Sequence, residues 1–386
     1  MPGLRIHIYV QHLLGGGHLV RMKIVAAALA DAGHRVTLIS GGMAGGRPDA
    51  AYRLLQLPAV KAAPGDFSVL LDSGGAPVGD DFKARRAAQL LQWVASGAPQ
   101  ALLIESFPFG RRALRFELVP LMEAVAAMKP RPLTLCSVRD ILQTRSGERD
   151  RRTVAEVNAW FDHVLVHADP AVARLAETFP LADQLHGKIF YTHYVYGATV
   201  QPGAPAPGGG PVVVSAGGGA VGFKLLQTAI LARPLSGLKD RPWHLLVGRN
   251  ASPAEFHALA AQAEAGRGIT VQWSRPDFAG MLAACAVSVS QAGYNTVLDT
   301  VAANCRAVLV PYSRHGETEQ QRRAEKFAEQ GRAVVVREQH LGPARLAEAV
   351  DRAARLDLSG CRPPRMEGAA QTVDFIERQL LQRAAL

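Results

Sequence analysis

The stretch RIHIYVQHLLGGGHLVRMKIVAAALADAGHRVTLIS, residues 5–40, constrains the fold more than any other part of the chain. Ile6, Ile8 and Val10 alternate as in a strand. Leu19, Met22, Ala26 and Leu29 then recur at helical spacing until Gly33 stops the helix, and RVTLIS reads as a second strand. Strand, glycine loop, helix and strand make a βαβ unit, the building block of an open α/β sheet.

Weaker units follow at ALLIES (101–106), PLTLCS (132–137) and HVLVHA (163–168). Around VQPGAPAPGGGP, 200–211, proline and glycine crowd together and hydrophobic periodicity vanishes, as in an exposed linker. The alternation then restarts with strands PVVVSA, HLLVG, ITVQW, VSVSQ, AVLVP and AVVV, separated by helical patterns. At 386 residues the chain has room for two such domains. The expected division is a Rossmann-like domain at 1–199, a linker at 200–211 and a second Rossmann-like domain at 212–370. A helix at 371–386, with an apolar stripe at Val373, Ile376 and Leu380, is expected to pack across to the first domain.

The 43 basic residues outnumber the 33 acidic ones, for a net charge of +10, which favours anionic partners. RNA-binding signatures, zinc-finger spacings and basic aromatic clusters are lacking in the sequence, so nucleic acid is not an expected partner. No apolar run approaches the roughly 20 residues that span a bilayer. The N-terminus MPGLRIHIYVQHLL turns polar too early for a signal peptide, and the expected location is the cytoplasm. A peripheral contact with the inner face of the membrane is a further expectation from the charge. Cys136, Cys285, Cys305 and Cys361 are too scattered for a metal site or a disulfide framework.

In open α/β sheets ligands gather at the carboxyl ends of the strands, so two such domains in series are expected to face a shared cleft with their strand-to-helix loops. The first of these loops is Gly15, Gly16, Gly17 and His18. Its glycines would let backbone amides approach an anion or an acceptor, and a helix start disfavours protonation of His18, leaving it a base. A tight turn with a capping or packed histidine accounts for the same four residues equally well.

The second loop, SAGGGAVGF at 215–223, fits GxGxxG with Gly217, Gly219 and Gly222. A dinucleotide site would show an acid after the next strand, whereas LLVGRN has Arg249, which leaves an NADP-binding oxidoreductase as a lower alternative. A P-loop is excluded, because Phe223 separates Lys224 from Gly222 and no Ser or Thr follows the lysine.

A third region is SQAGYNTVLDTVAANCRAVLVPYSRHGETEQQRRAEKFAEQG. Gly293 follows a strand, Asn295 or Thr296 starts a helix, and Asp299 is placed either to bind a vicinal diol or simply on a solvated face. Glu319 and Gln320 open another helix, as ligands for sugar hydroxyls or as ordinary first-turn residues.

With these residues together, QAGYNTVLDTVAANCRAVLVP and the Glu319–Gln320 pair resemble the C-terminal domain of glycosyltransferase family 28. That family includes the bacterial peptidoglycan N-acetylglucosaminyltransferase and plant monogalactosyldiacylglycerol synthase. YVQHLLGGGHLVR, ESFPFGRRALRFELVP, CSVRDIL, VLVHADP, SAGGGAVG and SQAGYNT extend the resemblance to a bacterial group of predicted glycosyltransferases, across both domains.

The resemblance implies a GT-B fold, with the acceptor mainly on the N-terminal domain and a UDP-sugar donor mainly on the C-terminal one. It implies metal-independent and inverting transfer of a hexose, with no cofactor besides the donor. By motif, Gly217, Gly218 and Gly219 would face the diphosphate, with Gly293, Asn295 and Thr296 at a supporting helix start. Trp273 to Arg275 would flank the uracil, Asp299 would bind ribose, and Glu319 with Gln320 would hold the hexose. Gly16 and Gly17 would offer amides to phosphate or acceptor.

His18 stands where the family has a loop histidine and is the first choice of base for the acceptor hydroxyl, with Glu105 a second candidate. Arg111, Arg112, Arg115 and Arg139 would suit an anionic acceptor or form a solvated face. The chain departs from the family in having Asp299 where Glu is common, and Glu319–Gln320 for a Gln–Gln pair after a longer loop. The hexose is therefore not carried over. GGGHLVRM is also similar to the loop of the UDP-sugar hydrolase of pseudaminic acid synthesis. The alternative function is therefore a GT-B hydrolase or epimerase in which His18 activates water.

Overall fold

The structure, a computed structural model, describes all residues except 1–2, 14–15, 45–48, 64–65, 198–208, 218–221, 250, 265–267, 276, 314–316 and 386. It divides into two compact units, one made of Met1–Gly197 with Arg365–Leu386, the other of Ala198–Pro364. Of the expected linker, residues 200–208 lie outside the described residues.

The first unit runs β1 (Arg5–Val10), α1 (Gly17–Asp31), β2 (Arg35–Ser40), β3 (Arg53–Gln56), β4 (Lys61–Ala63), β5 (Asp66–Leu71), α2 (Asp80–Gly97), β6 (Ala101–Glu105), α3 (Arg115–Ala127), β7 (Leu133–Arg139), α4 (Gly147–Trp160), β8 (His163–His167) and β9 (Ile189–Tyr191). Among the described residues seven strands form one parallel sheet in the order β3-β2-β1-β6-β7-β8-β9, and β4 and β5 form a separate antiparallel pair. The central strands are near-continuous apolar runs because helices cover both faces of a parallel sheet. Ile6, Ile8, Val10, Leu103 and Leu135 meet Met22, Val25 and Leu29 of α1 in the core.

The second unit runs β10 (Val212–Ser215), α5 (Phe223–Ala232), β11 (Trp243–Val247), α6 (Pro253–Glu264), β12 (Ile269–Trp273), α7 (Phe278–Ala283), β13 (Val287–Ser290), α8 (Tyr294–Ala302), β14 (Ala307–Leu309), α9 (Glu319–Glu329), β15 (Ala333–Val335) and α10 (Pro343–Ala353). Its described strands are all parallel, in the order β12-β11-β10-β13-β14-β15. Val212, Val214, Val287, Val289 and Val308 pack with Leu225 and Leu226 of α5 and Leu346 and Val350 of α10.

The chain then returns to the first unit as α11 (Gly368–Ala384). Val373, Phe375 and Ile376 enter that unit's core, and Phe375 stacks on Phe190 with ring centroids 4.3 Å apart. His163 Nε2 and Gln379 Oε1 are hydrogen-bonded at 2.9 Å on the same face.

The two doubly wound parallel sheets are the α/β architecture expected from the alternating runs. Strands β3, β4, β5 and β9, in contrast, have no counterpart in the sequence reading. β3, β4 and β9 are three or four residues long, and β3 and β9 are at the sheet margins with no fully buried residue, so they lack an apolar run to announce them; β5, of six residues, pairs only with the short β4, outside the main sheet. No described helix is long and apolar enough to cross a membrane.

Strand order fixes where a ligand can sit. In the first sheet β1 pairs with β2 on one side and β6 on the other, so the loops after β1 and β6 diverge and leave a crevice between them. In the second sheet the same reversal falls between β10 and β13.

Candidate functional site

At the first reversal, His18 is the second residue of α1 and Glu105 ends β6. His18 Nδ1 is 2.5 Å from Glu105 Oε1. An ionised carboxylate only accepts hydrogen bonds, so Nδ1 carries the proton and Nε2 is left with its lone pair. Among the described residues nothing hydrogen-bonds Nε2, and the side chain keeps 17% of its surface exposed.

Glu105 itself is fully buried, and four groups hold it. Besides His18, Oε1 accepts from Arg21 Nη2 at 2.7 Å and from Ser106 Oγ at 2.6 Å, and Oε2 accepts from Arg111 Nη2 at 2.6 Å. Burial alone would push the carboxyl up, but Arg111, His18 and Arg21 together hold it well below the usual carboxylate range. Burial holds the His18 ring well below the ordinary histidine range; Glu105 pulls it up, and Arg111 and Arg139 oppose that pull. The site therefore presents a neutral imidazole, oriented by a buried carboxylate, with its free nitrogen outward.

Glu105, the second candidate base, has both oxygens engaged, by four groups among the described residues, and no exposed surface. The arginines are also redistributed. Arg111 is on Glu105, and Arg115 grips Glu156 through two bonds of 3.0 and 2.6 Å. Arg139 has partners of its own, and Arg112 is exposed. Of the anion-binding set, Arg111 and Arg115 thus have their charge already matched.

The loop after β6 is built for this purpose. Ser106 and Arg111 both adopt left-handed backbone, with φ of 63° and 61°, conformations that cost a non-glycine residue about 1–2 kcal/mol. They aim one hydroxyl and one guanidinium at the same carboxylate. Arg21 was missed in the sequence although its signal was there: it falls one helical turn after His18, on the same face of α1. Beneath the pair, His167 bridges Ser137 Oγ at 2.8 Å and Thr192 Oγ1 at 2.7 Å in a fully buried chain.

Gly16 precedes α1 and Gly17 is its first residue; both are exposed, and a Cβ on Gly16 would meet nothing within 4 Å. The N-cap Gly16 offers no side-chain bond to the helix start, and a helix N-terminus of this kind suits an anion. Gly15 lies outside the described residues.

At the second reversal, Gly217 has φ of 69°, a left-handed turn that glycine takes without strain, and its N–H donates to Ser215 Oγ at 3.2 Å. Gly222 packs so closely over the strand end that a Cβ would lie 2.0 Å from that of Ala216. Gly218 and Gly219 lie outside the described residues. Thr296 Oγ1 is about equally close to both glycine loops, 4.0 Å from a Cβ built on Gly217 and 3.9 Å from one on Gly293. Gly293 caps α8, Asn295 and Thr296 lie in its uncapped first turn, and Asp299 falls one turn after Thr296 on the same side.

Glu319 and Gln320 serve the loops as much as any ligand. Glu319 is buried and pairs with Arg323 Nη2 at 2.8 Å, and Arg323 Nη1 donates to the Ala292 carbonyl at 3.0 Å. Gln320 Oε1 accepts from the backbone N–H groups of Ala292 and Tyr312, both at 3.1 Å, which ties the loop after β13 to the loop after β14. Its amide nitrogen has no bond among the described residues.

Trp273 ends β12 with one face stacked on Phe256, centroids 4.6 Å apart. Arg275 is spent on Asp277, with bonds of 2.8 and 2.7 Å. No three described His, Cys, Asp or Glu side chains converge as metal ligands.

Two doubly wound units of this kind define the GT-B class, and solved structures with similar folds include glycosyltransferases. They include MurG of Acinetobacter baumannii, with 15% identity, a TM-score of 0.59, and coverage of 97% of this chain and 99% of that one. The glycosyltransferase VinC in complex with DTDP has 15% identity and a TM-score of 0.60, with 98% and 95% covered. A UDP-glucosyltransferase from Polygonum tinctorium capable of glucosylating indoxyl has 12% identity and a TM-score of 0.59, with 100% and 95% covered. No curated protein matches the chain by sequence. Residues 213–378 match the glycosyltransferase family 28 C-terminal domain.

Proposed function

We propose that the protein transfers a hexose from a UDP-sugar to an acceptor hydroxyl, with inversion and without a metal or a resident cofactor. The observation that carries this reading is the His18–Glu105 pair at the strand reversal of the first unit, in a chain whose residues 213–378 match the family 28 C-terminal domain. His18 Nε2 takes the proton of the acceptor hydroxyl as that oxygen bonds to the anomeric carbon. The bond from the anomeric carbon to the diphosphate oxygen breaks in the same step, and UDP leaves with the electron pair. Glu105 stabilises the imidazolium that forms, as the oriented acid of a triad does.

On the donor side, amides at the start of α8 beside the Gly217 turn meet the diphosphate charge, as helix N-termini suit anions. Asp299 accepts from ribose hydroxyls, Gln320 donates its amide to the hexose, and the backbone from Trp273 to Arg275 flanks the base. The acceptor is an alcohol, with an anionic group weighed from the net charge of +10.

The test is incubation with UDP-GlcNAc, UDP-glucose, UDP-galactose and a TDP-sugar, with and without an extract of candidate acceptors, reading nucleotide release and product mass. Transfer predicts nucleotide release that depends on the extract and is lost in His18→Ala. Rapid release of free sugar without any acceptor, also lost in His18→Ala, would replace transfer by hydrolysis, the reading that GGGHLVRM also fits. Thermal stabilisation by NADP that UDP does not compete with would replace both.

A further inference from the structure

A carboxylate hydrogen-bonded to a histidine normally does two things at once: it orients the ring and makes it more basic. In this protein those two effects are separated. The charged groups facing His18 are Glu105 at the end of β6, Arg21 one turn on in α1, Arg111 in the loop after β6, and Arg139 at the end of β7. Among these described groups one anion stands with three cations. Arg21 and Ser106 bond the same oxygen as His18, and Arg111 is the group among the described residues that bonds the other oxygen.

We propose that Arg111 is a positioning residue that sets the protonation state of His18: by binding Glu105 Oε2 it offsets the carboxylate charge, so that Glu105 fixes the tautomer of His18 without turning the ring into a cation. The inference rests on His18 as the base of the proposed transfer, and it extends that reading to the pH range over which the base is ready. The backbone supports it. Arg111 holds a left-handed conformation to deliver its guanidinium, and strain of this kind persists where surrounding structure requires one placement of a side chain. Burial of the ring acts in the same direction, so neutral His18 extends into mildly acidic solution.

The experiment is histidine-selective NMR on the full chain between pH 5 and 8, with the His18 signal assigned by its loss in His18→Gln. In the wild type His18 is expected to stay neutral, protonated on Nδ1, across the range. In Arg111→Gln it is expected to titrate at least one pH unit higher, and the acid limb of kcat/KM is expected to move with it. Arg111→Lys, which keeps the charge, is expected to follow the wild type. If the glutamine variant does not fold, Arg111→Met removes the charge while keeping the stem.

An unchanged His18 titration on loss of the charge would overturn the inference, and so would equal shifts in the glutamine and lysine variants, which mark a packing role. The titration is independent of turnover. A shifted titration together with full activity in His18→Ala would leave this inference standing and remove the base assignment; a fixed titration with an inactive His18→Ala would do the reverse.

Discussion

His18 and Glu105 are 87 residues apart in the chain and 2.5 Å apart in space, because β1 and β6 are neighbours at the reversal of the sheet. General-base catalysis by a positioned side chain contributes typically 10²–10⁴-fold. His18→Ala is therefore expected to lower kcat by about that factor, with donor affinity measured by calorimetry changed less than threefold. Glu105→Gln is expected to reduce kcat as well, by releasing the tautomer. It also leaves the buried guanidinium of Arg21 without its anion, a loss of about 3–5 kcal/mol by the usual cost of breaking a buried pair. Urea unfolding of the two variants separates these effects: the histidine variant should stay near wild-type stability.

His7 gives the first unit a definite acid sensitivity. It is buried in β1, and burial, with help from Arg53 and Arg5, pulls its pKa down from 6.5 to about 4. Above pH 6.5 the ring is neutral in the folded and unfolded chain alike. Between 6.5 and about 4 the unfolded chain takes up a proton that the folded one refuses, so stability falls as pH falls through that window. The slope is about 1.4 kcal/mol per pH unit, about 3 kcal/mol in all. The lowered His18 acts in the same sense below its ordinary pKa, and Glu105, held low, adds its loss only in stronger acid. His7→Leu is expected to reduce the slope of the melting midpoint between pH 6.5 and 4, the remainder coming from His18 and the other buried histidines held low, His12, His34 and His167; an unaltered slope would show that His7 is not a source of it.

A second buried ion pair holds the first unit together away from the site. Arg86 of α2 bonds Glu117 of α3 at 2.6 and 3.0 Å, Gln11 after β1 at 2.7 Å and the Gly41 carbonyl after β2 at 2.9 Å, and Tyr9 bonds the same carboxylate. All four side chains, those of Arg86, Glu117, Gln11 and Tyr9, are fully buried. Removing one partner strands a charge, so Arg86→Met or Glu117→Leu alone is expected to cost about 3–5 kcal/mol. The double variant is expected to recover much of that, because an apolar pair of similar volume needs no desolvation. A double-mutant cycle in urea measures the coupling; additive losses would mean that the pair does not act as a unit.

The fold was legible where burial on both faces makes a strand a continuous apolar run, as in IHIYV, ALLI and VVVS, and where glycine marks the turn into a helix. His18 was legible for the same reason, since a strand and a helix placed it at a loop end. The partners of Glu105 were not. Arg21 reads as one more cation on a helix, and nothing local in FPFGRR says that Arg111 turns inward while Arg112 stays out. The Arg86–Glu117 pair has no sequence signature at all, because a buried ion pair is defined by packing between helices and looks like two surface charges in the chain. Trp273 and Arg275 were located by motif, but the neighbours that occupy them, Phe256 and Asp277, are a matter of tertiary contact and local pairing.

Gln320 combines a structural half and a free half in one side chain. Its carbonyl oxygen joins the loops after β13 and β14, and in the proposed transfer its amide nitrogen would donate to a donor-sugar hydroxyl. Gln320→Glu retains the acceptor for Ala292 and Tyr312 but removes the donor, while Gln320→Leu removes both. The glutamate variant is expected to keep the melting temperature and UDP affinity of the wild type and to lose about tenfold in kcat/KM for the UDP-sugar, about 1.4 kcal/mol, within the range of about 0.5–1.5 kcal/mol for an ordinary neutral hydrogen bond. The leucine variant leaves two backbone amides without their acceptor, at about 1–3 kcal/mol, and is expected to lose both stability and UDP affinity. Calorimetry with UDP and with the intact UDP-sugar distinguishes the two halves: a glutamate variant that loses affinity for UDP alone would mean that the loop tie, and not a contact with the hexose, is what Gln320 contributes.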